Sequence, residues 1–167
     1  EADGTFSQYS VTYHRIMLET YAQAEIFRRI HGLPAFSDKL SARLKAASHW
    51  LRQMVDPATG DAPILGANDG ANIALLSDAD YRDFRPTVQL TTALFDGSLA
   101  YIETGLWDQA LIWQGIARPE TLTPALASES FDQGGLHVLR AGPAVAYLRY
   151  PRFRFRPSQA DALHLDL

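Results

Sequence analysis

The chain has 167 residues, 47% of them hydrophobic and 20% charged, the balance of a folded globular protein rather than a disordered one. Its formal net charge of −4 has the wrong sign for a general nucleic-acid binder, and no apolar run is long enough to span a bilayer. Cysteine is absent, which excludes a disulfide framework and any thiolate metal site.

In chain order, residues 13–31 predict a helix, with Tyr13, Met17, Tyr21, Ala24 and Phe27 on one face at spacings of four and three. Gly32 and Pro34 stop it. A second helix follows Ser37 or Asp38, either of which can cap it. Leu40, Leu44, Ala47, Leu51 and Met54 form its buried stripe, and Asp56-Pro57 ends it. From Pro57 to Arg85 turn-forming clusters alternate with short apolar runs, the texture of a long functional loop. Helical texture resumes at Pro86, runs to about Phe95, and returns more weakly from Trp107 to Ile116. The period then switches to two. Residues 136–140 and 144–150 read as strands joined by a tight turn at Ala141-Gly142-Pro143, and residues 162–167 as a further strand. Helices first and antiparallel strands afterwards suggest two domains rather than a βαβ sheet. Glu1-Ala2-Asp3-Gly4 has no initiator Met, and the last strand stops on an apolar residue, so the chain reads as a segment of a longer protein.

Five motifs in register carry a resemblance. They are Gln8-Tyr9-Ser10-Val11-Thr12-Tyr13-His14 before and into the first helix, Gly66-Ala67-Asn68-Asp69-Gly70, Asp80-Tyr81-Arg82-Asp83-Phe84-Arg85-Pro86, Gly135 to Gly142, and Arg156 to Leu167. Together they resemble the heparinase II/III-like polysaccharide lyases. The resemblance implies a multidomain α+β chain. Residues 1–125 would be the end of an α/α toroid and residues 126–167 the first strands of an antiparallel β-sandwich, both incomplete, with the cleft between them. It also implies a periplasmic or secreted enzyme that cuts a uronate-containing anionic polysaccharide by β-elimination, with no cofactor, nucleic acid or membrane as partner. Such an enzyme neutralises the uronate carboxylate, removes the C5 proton and protonates the departing glycosidic oxygen.

The resemblance places Tyr13 at the catalytic tyrosine, as proton donor to the leaving oxygen. Acting as a base it would need a pKa well below the ~10 of a free phenol, which a cation such as Arg15 could provide. Periodicity alone makes Tyr13 the first core residue of its stripe. His14 either lines the cleft or sits at the helix start; His31 and His49 read as structural. Asn68 and Asp69 contact sugar or form a turn. Gln159 stands where relatives carry a His, and an amide cannot take a proton at neutral pH. Either Tyr13 then serves as both base and acid, or His164 substitutes, or the branch is a non-catalytic carbohydrate-binding relative. A hydrolase using Asp69 and Asp161 is a further alternative. Arg149, Arg152, Arg154 and Arg156 form a local positive run; the last three alternate with Phe153 and Phe155. They suit an anionic glycan, Arg156 first, or equally a charged strand edge. Asp78, Asp80 and Asp83 lack the Gly and closing Glu of a calcium loop, so no metal site is expected.

Overall fold

The computed structural model describes residues 1–70, 72–150 and 165–166. The elements are α1 (Val11–Ile30), α2 (Asp38–Met54), α3 (Arg85–Asp96), a 3₁₀ turn (Leu106–Asp108), α4 (Gln109–Trp113), β1 (Glu129–Phe131), β2 (Leu136–Ala141), β3 (Ala144–Arg149) and β4 (Leu165–Asp166).

α1 starts earlier than its apolar spacing predicts because Ser10 caps it. The Ser10 backbone is extended, and its hydroxyl accepts from the Tyr13 N–H at 3.1 Å. Arg28 and Arg29 in the last turn oppose the dipole, and Gly32 follows at φ +60°. The buried face is not the expected stripe: Phe27 is 58% exposed, whereas Val11, His14, Leu18, Ala22 and Ile26 are buried together with Arg15, Glu19 and Glu25. Three ionic side chains interrupt the inward face, so hydrophobic spacing points to the stripe beside it. α2 is simpler. Ser37 caps it through the Leu40 N–H, and Leu44, Ala47, Leu51 and Met54 are buried as their spacing predicts. Proline in its first turn and left-handed Gly97 bound α3. The three helices pack against one another, and α4 adds a short turn against α3.

All strands pair antiparallel in the order β1-β2-β3-β4. The expected hairpin is present, with Ala141 opposite Ala144. Gly142 at φ +58° followed by Pro143 is the sequence of a II′ turn, whose twist matches that of the strands. β1 has only three residues, too few for alternation to be legible. Of the strand expected at 162–167, Leu165 pairs with Leu148 and Asp166 with Tyr147; the rest lies outside the described residues.

The expected toroid followed by a β-sandwich is overturned. One antiparallel sheet is present among the described residues, with no second sheet to face it and no ring of helix pairs. The sheet instead lies on the helices. Val11 and Leu18 of α1, Trp50, Leu51 and Met54 of α2, and Val88 of α3 share one core with Phe131, Leu136, Val138 and Tyr147. The chain is therefore a mixed α+β arrangement in which a small sheet closes over three helices. A polar seam locks the two layers. The buried Gln53 side chain donates to Glu129 at 2.8 Å and accepts from Arg140 Nε at 3.1 Å, and His49 meets Glu129 at 2.6 Å. The first residues of the chain are also pinned to the sheet side: Ala2 N–H donates to Gln133, Gln133 N–H to Asp3, and Arg149 to the Tyr9 carbonyl.

Because Phe131 is 2% exposed and meets Trp50 edge-on at 6.4 Å, its truncation cuts both layers at once. Phe131→Ala is expected to cost about 3–5 kcal/mol. Helical and aromatic circular dichroism should still melt together in one transition; separate transitions would refute a shared core.

Candidate functional site

The long loop after α2 returns to the start of α1, and local chemistry fixes where it lands. Ser10, already the cap, donates its hydroxyl to the Ala67 carbonyl at 2.5 Å, and the Val11 N–H donates to the Leu65 carbonyl at 3.2 Å. Gly66 makes this approach possible. It sits at φ +73°, and a Cβ there would lie 2.3 Å from the Tyr9 carbonyl oxygen. Further along, the loop is held a second time. Glu19, 1% exposed, accepts from the Ile73 and Ala74 N–H groups at 3.1 and 3.2 Å and from the Thr87 hydroxyl at 2.7 Å.

Between these two anchors the loop lays Asn68 and Asp69 over the first turn of α1. The Tyr13 hydroxyl, half-buried, donates to the exposed Asp69 carboxylate. Asn68 Oδ1 accepts from the Tyr81 hydroxyl at 2.7 Å and from the Gly70 N–H at 3.1 Å. Tyr81 is in turn fixed by Arg15, whose guanidinium lies 4.6 Å from the Tyr81 ring centre and 4.3 Å from that of Phe84, and donates to the Tyr81 carbonyl at 2.8 Å. Burial lowers the Arg15 pKa from its usual value, with the nearby Glu19 carboxylate opposing. The result is a solvent-facing row of a phenol, a carboxylate and an amide, backed by a buried cation. It offers one polarised proton donor and several groups able to hold sugar hydroxyls.

Three expected site residues, Tyr13, Asn68 and Asp69, are thus brought together. Arg15 is placed against Tyr81 and Phe84, behind the row rather than in it. His14 does not join that row. It is fully buried, stacked on Trp50 at 4.4 Å, with Nε2 2.9 Å from the Ala47 carbonyl. His31 follows α1 and rests against Phe27. Arg149 is buried and holds Tyr9, and so is not part of an exposed cationic row. Arg152, Arg154, Arg156, Gln159, Asp161 and His164 lie outside the described residues. Asp78, Asp80 and Asp83 act separately, as a partner of Gln109, a turn former and a partner of Arg85. Among the described residues no three His, Asp or Glu side chains gather as a metal ion requires, and no helix is long and apolar enough to cross a membrane.

Sequence reasoning missed Glu19, Ser10 and Tyr81 as parts of this arrangement. Ser10 had a readable signal, a cap residue three before Tyr13. Tyr81 stood in a quoted motif without a role assigned to it, and Glu19 had no signal, because its partners lie more than fifty positions away.

Two outcomes test this geometry. Glu19→Gln places an amide against donors and should lower stability by roughly 2–3 kcal/mol, the scale of a buried charged hydrogen bond. The Ile73 and Ala74 amides should then lose their protection from hydrogen exchange; retained protection would mean the loop is held by something else. Burial lowers the His14 pKa from 6.5 to about 4, despite the Ala47 carbonyl. The unfolded chain therefore binds a proton between pH 6.5 and 4 that the folded chain refuses. Stability is full above that window and falls as pH drops through it, by roughly 3 kcal/mol on this account. Urea unfolding at pH 7 and pH 4.5 measures the loss, and His14→Gln should flatten the slope.

Compared with known proteins, the chain matches no family model, no curated protein and no solved structure, so the function of this site has to be argued from its own geometry.

Proposed function

We propose that the chain belongs to a polysaccharide lyase that cleaves a uronate-containing glycan by β-elimination, with Tyr13 as the acid that protonates the departing oxygen. The observation that carries this reading is the Tyr13 hydroxyl held by Asp69 at the solvent-facing rim of the loop, beside Asn68. In the reaction a base takes the C5 proton, the electron pair forms the C4–C5 double bond, and the C4–O bond breaks. The phenol then gives its proton to that oxygen.

The hydrogen bond to Asp69 favours Tyr13 as acid over Tyr13 as sole base. The Tyr13 hydroxyl donates to the Asp69 carboxylate, so the proton to be delivered is carried by the phenol. A glycosidic alkoxide is a far stronger base than a carboxylate and draws that proton as it forms. Asp69 orients the phenol until then. The base falls to another side chain, and His164 is the candidate that the sequence offers. Asn68, its Oδ1 already occupied by Tyr81 and Gly70, has its amide hydrogens to offer a sugar oxygen or the uronate carboxylate. The reading also places the protein in the periplasm or outside the cell, where such polymers are met.

The experiment is to incubate the protein with uronate polysaccharides and record ultraviolet absorbance and new reducing ends together. A lyase yields both, a hydrolase yields reducing ends without the chromophore, and a binding protein yields neither. On the substrate that responds, Tyr13→Phe should lower the rate by about 10²–10⁴-fold with binding nearly unchanged. The ring is kept and only the hydroxyl is lost. Unchanged turnover would remove Tyr13 from the chemistry.

A further inference from the structure

A crevice beside the start of α1 is lined by Thr5, Phe6, Tyr9, His14, Trp50 and Arg149, among others. Three of these residues carry buried polar atoms without a hydrogen-bond partner among the described residues: Thr5 Oγ1, His14 Nδ1 and Trp50 Nε1. Thr5 is 5% exposed, His14 0% and Trp50 6%. Buried polar atoms are ordinarily satisfied by protein or by a bound group, because leaving one bare is costly. All three residues line the same crevice, so one bound group there is the simplest way to satisfy them together.

Their donor and acceptor roles can be worked out. The Ala47 carbonyl only accepts, so His14 Nε2 at 2.9 Å must carry the hydrogen. Burial keeps the ring neutral near pH 7, which leaves Nδ1 as a bare acceptor. The Trp50 indole N–H can only donate, and the Thr5 hydroxyl can do either. The Thr5 side chain is held against Gly134, where a Cβ would come within 2.0 Å of its methyl.

An anion would set lone pairs against His14 Nδ1. A cation would face the Trp50 N–H and share the crevice with the buried Arg149. A neutral oxygen that both donates and accepts meets every demand. The space open to the centre of a water molecule is about 20 Å³, room for one such oxygen and too little for a planar amide. Phe6, Leu65 and Leu136 supply apolar wall, which strengthens the bonds that form there.

We infer that this crevice binds one neutral hydroxyl oxygen, accepting from Trp50 and Thr5 and donating to His14, supplied either by a resident water or by a carbohydrate hydroxyl. The inference does not depend on the lyase reading.

The test compares the native chain with Thr5→Val, which removes the hydroxyl at nearly constant shape, and Thr5→Ser, which keeps it. Melting is measured in plain buffer and with millimolar methyl glucoside, and the Trp50 indole N–H is followed by NMR. A resident water predicts that Thr5→Val melts about 2–4 °C lower, the scale of one lost hydrogen bond in a chain this size. Thr5→Ser should then match native, and the Trp50 N–H should show direct cross-relaxation to water. A carbohydrate hydroxyl predicts no change for Thr5→Val in plain buffer. Methyl glucoside should then raise the native melting temperature and shift the Trp50 resonance, with both effects lost in Thr5→Val. The proposal is overturned if Thr5→Val melts at or above native and neither water nor methyl glucoside reaches Trp50, the behaviour of a polar atom that truly lacks a partner. Should Thr5→Val fail to fold, the Trp50 signals of the native chain decide alone.

Discussion

A carboxylate placed in the middle of a buried helix face must find donors, and much of this structure follows from how Glu19 finds them. Its oxygens take two backbone N–H groups from the loop and one hydroxyl from α3. Three elements distant in sequence therefore meet at one charge. A solvated alternative would expose the α1 face that also carries Leu18 and Ala22, and an unpaired buried carboxylate would cost several kcal/mol. The loop consequently has little choice of path. Once its far end is tied at Ile73 and its near end at Ser10, Asn68 and Asp69 can only lie over the first turn of α1.

The same logic explains which parts of the fold were legible in the sequence. α2 is capped by Ser37 and stopped after Met54, and Leu44, Ala47, Leu51 and Met54 keep helical spacing on its buried side, so spacing finds its boundaries and most of its inward face, though not the buried Ser48, Arg52 and Gln53 beside them. α3 announces itself with proline and glycine at its two ends. The hairpin is written in Gly142-Pro143 between alternating runs. α1 is harder because Arg15, Glu19 and Glu25 lie on its buried side, and a rule that equates buried with apolar selects the wrong stripe. The toroid and sandwich expectation failed for a related reason. Motif order along a chain says nothing about whether Phe131 and Val138 pack on a second sheet or on α2, and here they pack on α2.

At the site, the sequence named Tyr13, Asn68 and Asp69 but not the reason they meet. His14 is the instructive contrast, being adjacent to Tyr13 in sequence and opposite in fate. A helix turns by about 100° per residue, enough to put one side chain at the solvent-facing rim and the next into the core against Trp50. The polar end of its ring still matters. A neutral imidazole committed to the Ala47 carbonyl presents a defined acceptor on its other nitrogen, which makes the core beside the site chemically directional as well as apolar.

The pinning of the first residues to the sheet imposes an order in time. Tyr9 is held by Arg149, and Asp3 by Gln133, contacts that span 140 and 130 positions. During synthesis at about 5–20 residues per second, the strands that receive residues 1–10 are made roughly seven to thirty seconds after those residues. α1 and α2 can pair while the chain is still growing, since their contacts are local. The segment before α1, with left-handed Tyr9 at φ +53°, gains its partners on the sheet side only once the hairpin exists. The Tyr9 anchor to Arg149 thus becomes possible long after the contacts within and between α1 and α2, so a nascent chain can carry those helices well before the segment preceding α1 is locked to the sheet.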